Sequence, residues 1–333
     1  MSQTPKMLKD LGALAGAIMA SGVSVVAPSA GPGPSRFRRL ASAEELAMPR
    51  VNTQLPPKEH LFPPTEPLLR FRYRGTDVEL TDPPLPAEKL VLLGVRPCDA
   101  AGIALLDAVL LADPTDPFYA ARRANATIVA VGCARADDDC FCTAVGLSPH
   151  SSYGSDLLLL PAEGGYLAEA VTDKGRQLVA AHASLFTDAA SARAAAPPKL
   201  QRASLDGVDE QLQAAFADAR WAAIAARCLG CACCASVCPT CHCFDIADEA
   251  SARSGVRLRS WDACGLEMFT KHTSGHNPRP NQPARFRQRV MHKLSYSVAS
   301  LGRPLCVGCG RCISHCPVGM DIHQAAAQFA TSG

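Results

Sequence analysis

Two cysteine arrays carry the most specific chemistry in this chain. RCLGCACCASVCP places Cys228, Cys231, Cys234 and Cys238 ahead of a proline, and LCVGCGRCISHCP does the same with Cys306, Cys309, Cys312 and Cys316. Both read C-x2-C-x2-C-x3-C-P. A cubane [4Fe–4S] cluster takes four thiolates at the corners of a tetrahedron, and three closely spaced cysteines wrap one loop around three of its irons. Gly230, Gly308 and Gly310 let backbone amides turn toward the sulfurs. The fourth cysteine falls on a new helical turn, and the proline after it removes a backbone donor. Where two such runs occur together, the fourth cysteine of each ligates the other cluster. The expected sets are therefore Cys228, Cys231, Cys234 with Cys316, and Cys306, Cys309, Cys312 with Cys238. Structural zinc, the competing chemistry, uses two separated C-x2-C pairs rather than a triple plus a fourth. Cys233 stands at a non-ligand spacing. With all eight ligands supplied, neither cluster offers an open iron to a substrate, so the pair reads as an electron relay with no catalytic residue. Arg311 and His315 lie beside ligands, where they either tune the potential or stand as solvated surface groups.

A third set is dispersed. Cys98 follows the apolar run KLVLLGV, and Cys133 ends TIVAVGC, with Cys140 and Cys142 just beyond. If the two runs are parallel strands, their ends emerge at one sheet edge, where open α/β sheets place ligands. Four thiols then converge. The expectation is a third [4Fe–4S] cluster; zinc and uncommitted thiols stay open as alternatives. Cys241, Cys243 and Cys264 remain. With His242 they could make a metal site, and packing beside the clusters is the plainer role.

Three segments must position these cysteines. Residues 1–85 mix a helix near 4–20, a strand at 22–27, a Pro-rich run and a hairpin of LLRFRY and DVEL about Gly75. Residues 86–195 read as α/β: KLVLLGV, a helical DAAGIALLDAVLL, then TIVAVGC, a strand–helix–strand unit of right-handed parallel type. A second hairpin, DLLLLP and YLAEAVT, follows, and an Ala- and Pro-rich linker closes the segment at 187–202. Residues 203–333 look helical, with one helix delivering the chain to Cys228 and another, at 282–300, delivering it to Cys306. The expected fold class is α+β: an N-terminal α/β region with parallel strands and hairpins, then an all-α dicluster ferredoxin-like domain.

Bulk properties narrow the function classes. The chain has 333 residues, is 48% hydrophobic and carries a net charge of +2, so no global field points to nucleic acid or membrane. Sixteen cysteines, eight of them in tight arrays, favour metal over disulfides. Thiolates kept reduced imply a cytoplasmic setting. The uncharged run 11–30 resembles a signal peptide, but a short helix entering a buried strand accounts for it better. No other uncharged run approaches transmembrane length. Between Lys271 and Lys293 lie Arg279, Arg285, Arg287 and Arg289 without an acidic residue. Aromatic interleaving is thin there, so charge compensation for anionic clusters, partner docking or a solvated helix face explain it better than nucleic acid does.

PPKEHLFPPTE (56–66), GVRPCDA (94–100), CPTCHCFD (238–245), SWDACG (260–265), SGHNPRP (274–280), RQRVMHKLSY (287–296) and CVGCGRC (306–312) occur together. As a set they resemble the iron–sulfur β subunit of soluble sulfhydrogenases and the related A subunit of anaerobic sulfite reductase. The arrays are widespread; their combination with GVRPCD and SGHNPRP is much more specific. The resemblance implies an electron-carrying subunit linking a flavin subunit that works with NAD(P)H to a catalytic subunit, nickel–iron hydrogenase or siroheme reductase. It carries over the eight arrayed cysteines as ligands, and places Cys98, Cys133, Cys140 and Cys142 in the region of an additional cluster. The Ala/Pro-rich linker and the His in CHC depart from the expected pattern without touching a proposed ligand. The competing function is a stand-alone iron–sulfur oxidoreductase binding flavin or substrate at the α/β edge, although no GxGxxG follows a strand. A regulatory cluster protein is the third class.

Overall fold

The computed structural model describes residues 5–31 and 33–330. In chain order its strands are β1 (Lys6–Leu8), β2 (Ser24–Ser29), β3 (Arg36–Arg39), β4 (Thr65–Arg74), β5 (Asp77–Thr81), β6 (Leu90–Val95), β7 (Ala126–Val131), β8 (Leu157–Ala162), β9 (Gly165–Ala170), β10 (Phe186–Asp188), β11 (Phe244–Ala250) and β12 (Ser254–Trp261). They form an eight-stranded sheet in the order β10-β1-β9-β8-β7-β6-β2-β3, and a four-stranded sheet in the order β11-β12-β4-β5.

The centre of the large sheet, β2, β6, β7 and β8, is parallel, and its outer pairs are antiparallel. Parallel strands covered on both faces read as continuous apolar runs. Here the two-residue alternation sends Val25, Val91, Leu93, Val129 and Leu157 to one face. Val26, Leu92, Ile128 and Leu158 go to the other. The helix Leu11–Ala20 buries Leu11, Leu14, Ala15 and Ile18 against the first face, so the uncharged run 11–30 is a core helix followed by a core strand. The helix Pro97–Leu110 covers the second face through Ile103, Leu106 and Leu110.

The expected α+β chain ending in an all-α dicluster domain is corrected on this point. Residues 244–261 form the hairpin β11–β12, and β12 pairs antiparallel with β4, from Ser254↔Arg72 to Ser260↔Thr65. The C-terminal segment is therefore mixed, and the smaller sheet joins strands from both ends of the chain. The cause is long-range: VRLRSW alternates as a strand should, but its partner lies far upstream, where local periodicity gives no hint of it. The expected helix leading to Cys228 is also two shorter ones, Val208–Ala214 and Arg220–Ile224. Around the arrays, Leu212, Trp221, Phe286, Val290, Leu294, Ile322 and Phe329 build a separate helical core.

Candidate iron–sulfur centres

β6 and β7 pair in parallel up to Val95↔Ala130, so Cys98 and Cys133 follow the same ends of neighbouring strands. Arg96 locks these ends together. Its guanidinium donates to the Pro49 carbonyl at 2.7 Å and to the Gly132 carbonyl at 3.3 Å. Cys133 is held by its own N–H on Pro149 O at 3.0 Å. Cys140 and Cys142 arrive on the following loop, where the Asp137 N–H donates to the Cys140 sulfur at 3.5 Å.

The two arrays share one loop conformation. Gly230 and Gly308 have φ of 68° and 61°, and Ala232 and Gly310, two residues later in each, have φ of 60° and 77°. Each loop then enters a single-turn helix, Cys233–Ser236 or Arg311–Ser314. The second array is pressed onto the 133–142 loop. Phe141 N–H donates to Gly308 O at 2.8 Å, and a Cβ on Gly308 would run into the Phe141 and Cys142 backbone. That contact joins the dispersed cysteines to an array, and nothing in local sequence announces it.

Three cavities receive the three sets. Cys228, Cys231, Cys234 and Cys316 line one, together with Cys233, Cys264 and Cys312. Cys238, Cys306, Cys309 and Cys312 line a second. Cys98, Cys133, Cys140 and Cys142 line a third, with Cys309. Cys312 thus borders the first and second cavities, and Cys309 the second and third. Among the described residues no group of three or more Cys, His, Asp or Glu side chains closes on a point as a single ion would need. The sulfurs are spread around hollows instead.

The charges around these hollows match an anionic occupant. Lys58, Arg289 and Lys293 are all buried, and none pairs with a carboxylate among the described residues. They turn to the cysteine-bearing loops. Lys58 donates to Cys241 O at 2.8 Å, and Arg289 to Cys234 O at 2.9 Å and to the Cys241 sulfur at 3.4 Å. Lys293 donates to Thr240 Oγ1 at 2.7 Å, which itself contacts the Cys238 sulfur at 3.4 Å. Burial works against the charge of Lys293, yet the neighbouring Cys238 and Cys241 sulfurs, taken as thiolates, hold its pKa above the ordinary value. Burying three cations without counter-charge is costly. Thiolates holding a net-negative cluster supply that charge, so the residues present fit the group.

Arg311 is the other buried cation, and it is fully partnered. Its guanidinium forks onto Asp99 at 2.6 and 2.8 Å and reaches Thr53 O at 2.6 Å. The pair ties the residue after Cys98 to the residue before Cys312. Arg311 is therefore a buried strut, not a solvated surface group. Burial opposes its charge, and Asp99 together with the Cys309 and Cys98 sulfurs, taken as thiolates, more than offsets this. Of the basic stretch, Arg289 and Lys293 face the cysteines; Arg287 instead lies over Phe216 at 3.9 Å, and Lys271 is exposed. Lys58, from the Pro-rich run, has no sequence signal of its role. Asp99 had one, its place directly after Cys98.

Several of these thiols resist ionisation on their own, whereas the hydrogen bond with Cys241 draws Cys238 well below the ordinary thiol value. Burial pushes Cys133 and Cys306 up to about 11 and Cys142 and Cys309 up to about 12. A bound metal must displace those protons.

Residues 227–320 match the family model of a 4Fe–4S dicluster domain. The chain is also 34% identical over 298 residues to "Sulfhydrogenase 2 subunit beta" of Pyrococcus furiosus, a match covering 86% of each chain. The chain belongs to the sulfhydrogenase β-subunit family. In this member of the family both arrays lie inside the dicluster match, as do Cys241, Cys243 and Cys264, whereas Cys98, Cys133, Cys140 and Cys142 lie outside it. No solved structure matches. Among the described residues no helix is long and apolar enough to cross a membrane.

Proposed function

We propose that the chain is a cytoplasmic electron-transfer subunit of a multi-subunit oxidoreductase. It carries electrons between a flavin subunit that works with NAD(P)H and a catalytic subunit of nickel–iron hydrogenase or sulfite reductase type. Cys228, Cys231, Cys234 and Cys316 would hold one [4Fe–4S] cluster, and Cys306, Cys309, Cys312 and Cys238 a second. Cys98, Cys133, Cys140 and Cys142 would hold a third. When bound, each cluster takes up and returns single electrons.

The observation that carries this reading is the row of three cavities with shared walls, Cys312 standing between the first and second and Cys309 between the second and third. A row suits a conduit; a catalytic centre needs one open site. The chain's own residues serve such a conduit in distinct ways. Lys58, Arg289 and Lys293 compensate negative charge inside the protein. Gln282 donates its amide N–H to the Cys228 sulfur at 3.1 Å, and the Met320 N–H donates to Cys316 at 3.2 Å, contacts that raise a potential by favouring added charge. Cys231 and Leu229 are exposed, which supports the first cavity as the one that would lie nearest a docked partner. In this reading residues 203–333 form the cluster-carrying segment, completed by β4, with residues 1–85 and 86–195 supplying the large sheet that holds the third set.

The test separates this from a stand-alone flavin enzyme. The isolated chain, purified without oxygen, is expected to carry no flavin and to stay oxidised with NAD(P)H. Adding the flavin-bearing subunit of the native complex should let NAD(P)H reduce it, seen by electron paramagnetic resonance. Flavin in the isolated chain, with direct reduction by NAD(P)H, would contradict the proposal.

A further inference from the structure

We propose that Cys243 and Cys264, the second of which lines the first cysteine cavity, form a reversible dithiol–disulfide couple able to exchange with small thiols and disulfides. Neither residue belongs to the three cavity sets. The hairpin β11–β12 brings them together: its register ends at Phe244↔Trp261, and the Asp262 N–H continues the ladder onto Cys243 O at 2.9 Å. A tight turn follows, in which the Ala263 N–H donates to Asp262 Oδ1 at 2.6 Å and the Leu266 N–H to Ala263 O at 2.9 Å. That turn folds Cys264 back toward the end of the strand that carries Cys243. Two thiols at neighbouring strand ends can bond with side-chain rotations when their Cα atoms lie within about 7 Å. Cys264 also lines the cavity of Cys228, Cys231, Cys234 and Cys316.

The two sulfurs are unequal. The hydrogen bond from Cys264 draws Cys243 down to about 6, against the effect of burial, with Lys293 and Arg289 helping. Cys264, the donor, is pushed up by the same bond and by burial. One thiol is therefore the nucleophile and its neighbour the resolving group, the asymmetry that dithiol exchange needs. With a small disulfide RSSR, the Cys243 thiolate attacks one sulfur, the S–S bond breaks and RS⁻ leaves, taking a proton to become RSH. The Cys264 thiol then loses its proton and attacks the Cys243 sulfur, releasing the second RSH. In sum two protein thiols are oxidised to one disulfide and RSSR is reduced to two RSH; a small dithiol reverses it. A thiolate stabilised in the reduced state makes the couple more oxidising than an ordinary structural disulfide.

The full chain, purified without oxygen, would be equilibrated in glutathione and glutathione disulfide mixtures, acid-quenched, alkylated, digested and read by mass spectrometry. The expected result is a peptide linked through Cys243 and Cys264 whose yield rises with the disulfide fraction and falls again on reduction. Cys264→Ser and Cys243→Ser should each abolish it while iron per chain stays unchanged. The wild-type readout does not depend on either variant folding. Cys243 and Cys264 remaining alkylatable in every mixture would overturn the proposal. So would links spread evenly over Cys233 and Cys241, or a bound zinc or iron lost from Cys264→Ser, which would mark a metal site instead.

Discussion

Arg311 and Asp99 are both buried, and their forked contact crosses from the large sheet to the second array. Removing one member of such a pair leaves the other charged and unpaired in the interior, which costs about 3–5 kcal/mol. Arg311→Met is therefore expected to lower unfolding stability by about that amount, measured by denaturant titration without oxygen, and Asp99→Asn by less because the amide can still accept from Arg311. Equal stability of Arg311→Met and the parent chain would contradict the strut. His242 gives a pH signature. Burial, with Lys293 nearby, lowers it to about 4. The folded-state value lies below the ordinary one of about 6.5, so the unfolded chain binds the extra proton between them. Stability is full above about pH 6.5 and falls as pH drops toward 4, by on the order of 2 kcal/mol between pH 7 and 5. His242→Asn should reduce that slope without abolishing it, because burial lowers His292 to about 4 as well, and an unchanged slope would remove His242 from the account.

At the scale of elements, two loops meet where sequence offers no warning. Gly308 has a φ of 61°, and a side chain there would strike the Phe141 and Cys142 backbone. Gly308→Ala is expected to push the 133–142 loop away from the second array. The spectroscopic signal of the cluster proposed at Cys98, Cys133, Cys140 and Cys142 should weaken, with the signal of the first array intact. Equal loss of every signal would mean general unfolding and would count against this local role. The strands β6 and β7 were legible because doubly buried parallel strands are written as unbroken apolar runs, LVLLGV and ATIVAV. The β4–β5 hairpin was legible from its Gly75 turn. The β11–β12 hairpin was not, because β11 is exposed throughout and reads FDIADEA, a composition that suits a loop or helix as well as a strand. Its place in a sheet depends on β12 pairing with the remote β4.

Over the whole molecule, the arrays were readable one by one because cubane ligation dictates their spacing. Their arrangement in a row was not, since it depends on the Phe141–Gly308 contact, the Arg311–Asp99 pair and the packing of Ala101 and Leu105 on Leu305 and Val307. The buried cations Lys58, Arg289 and Lys293 come from distant parts of the chain and acquire a purpose only when the fold gathers them beside the cysteines. The central claim is that this row holds three clusters, and iron counting tests it most directly. The chain purified without oxygen is predicted to contain about twelve irons, falling to about eight in the Cys140→Ser, Cys142→Ser double variant. About eight irons in the parent chain, unchanged in that variant, would contradict it.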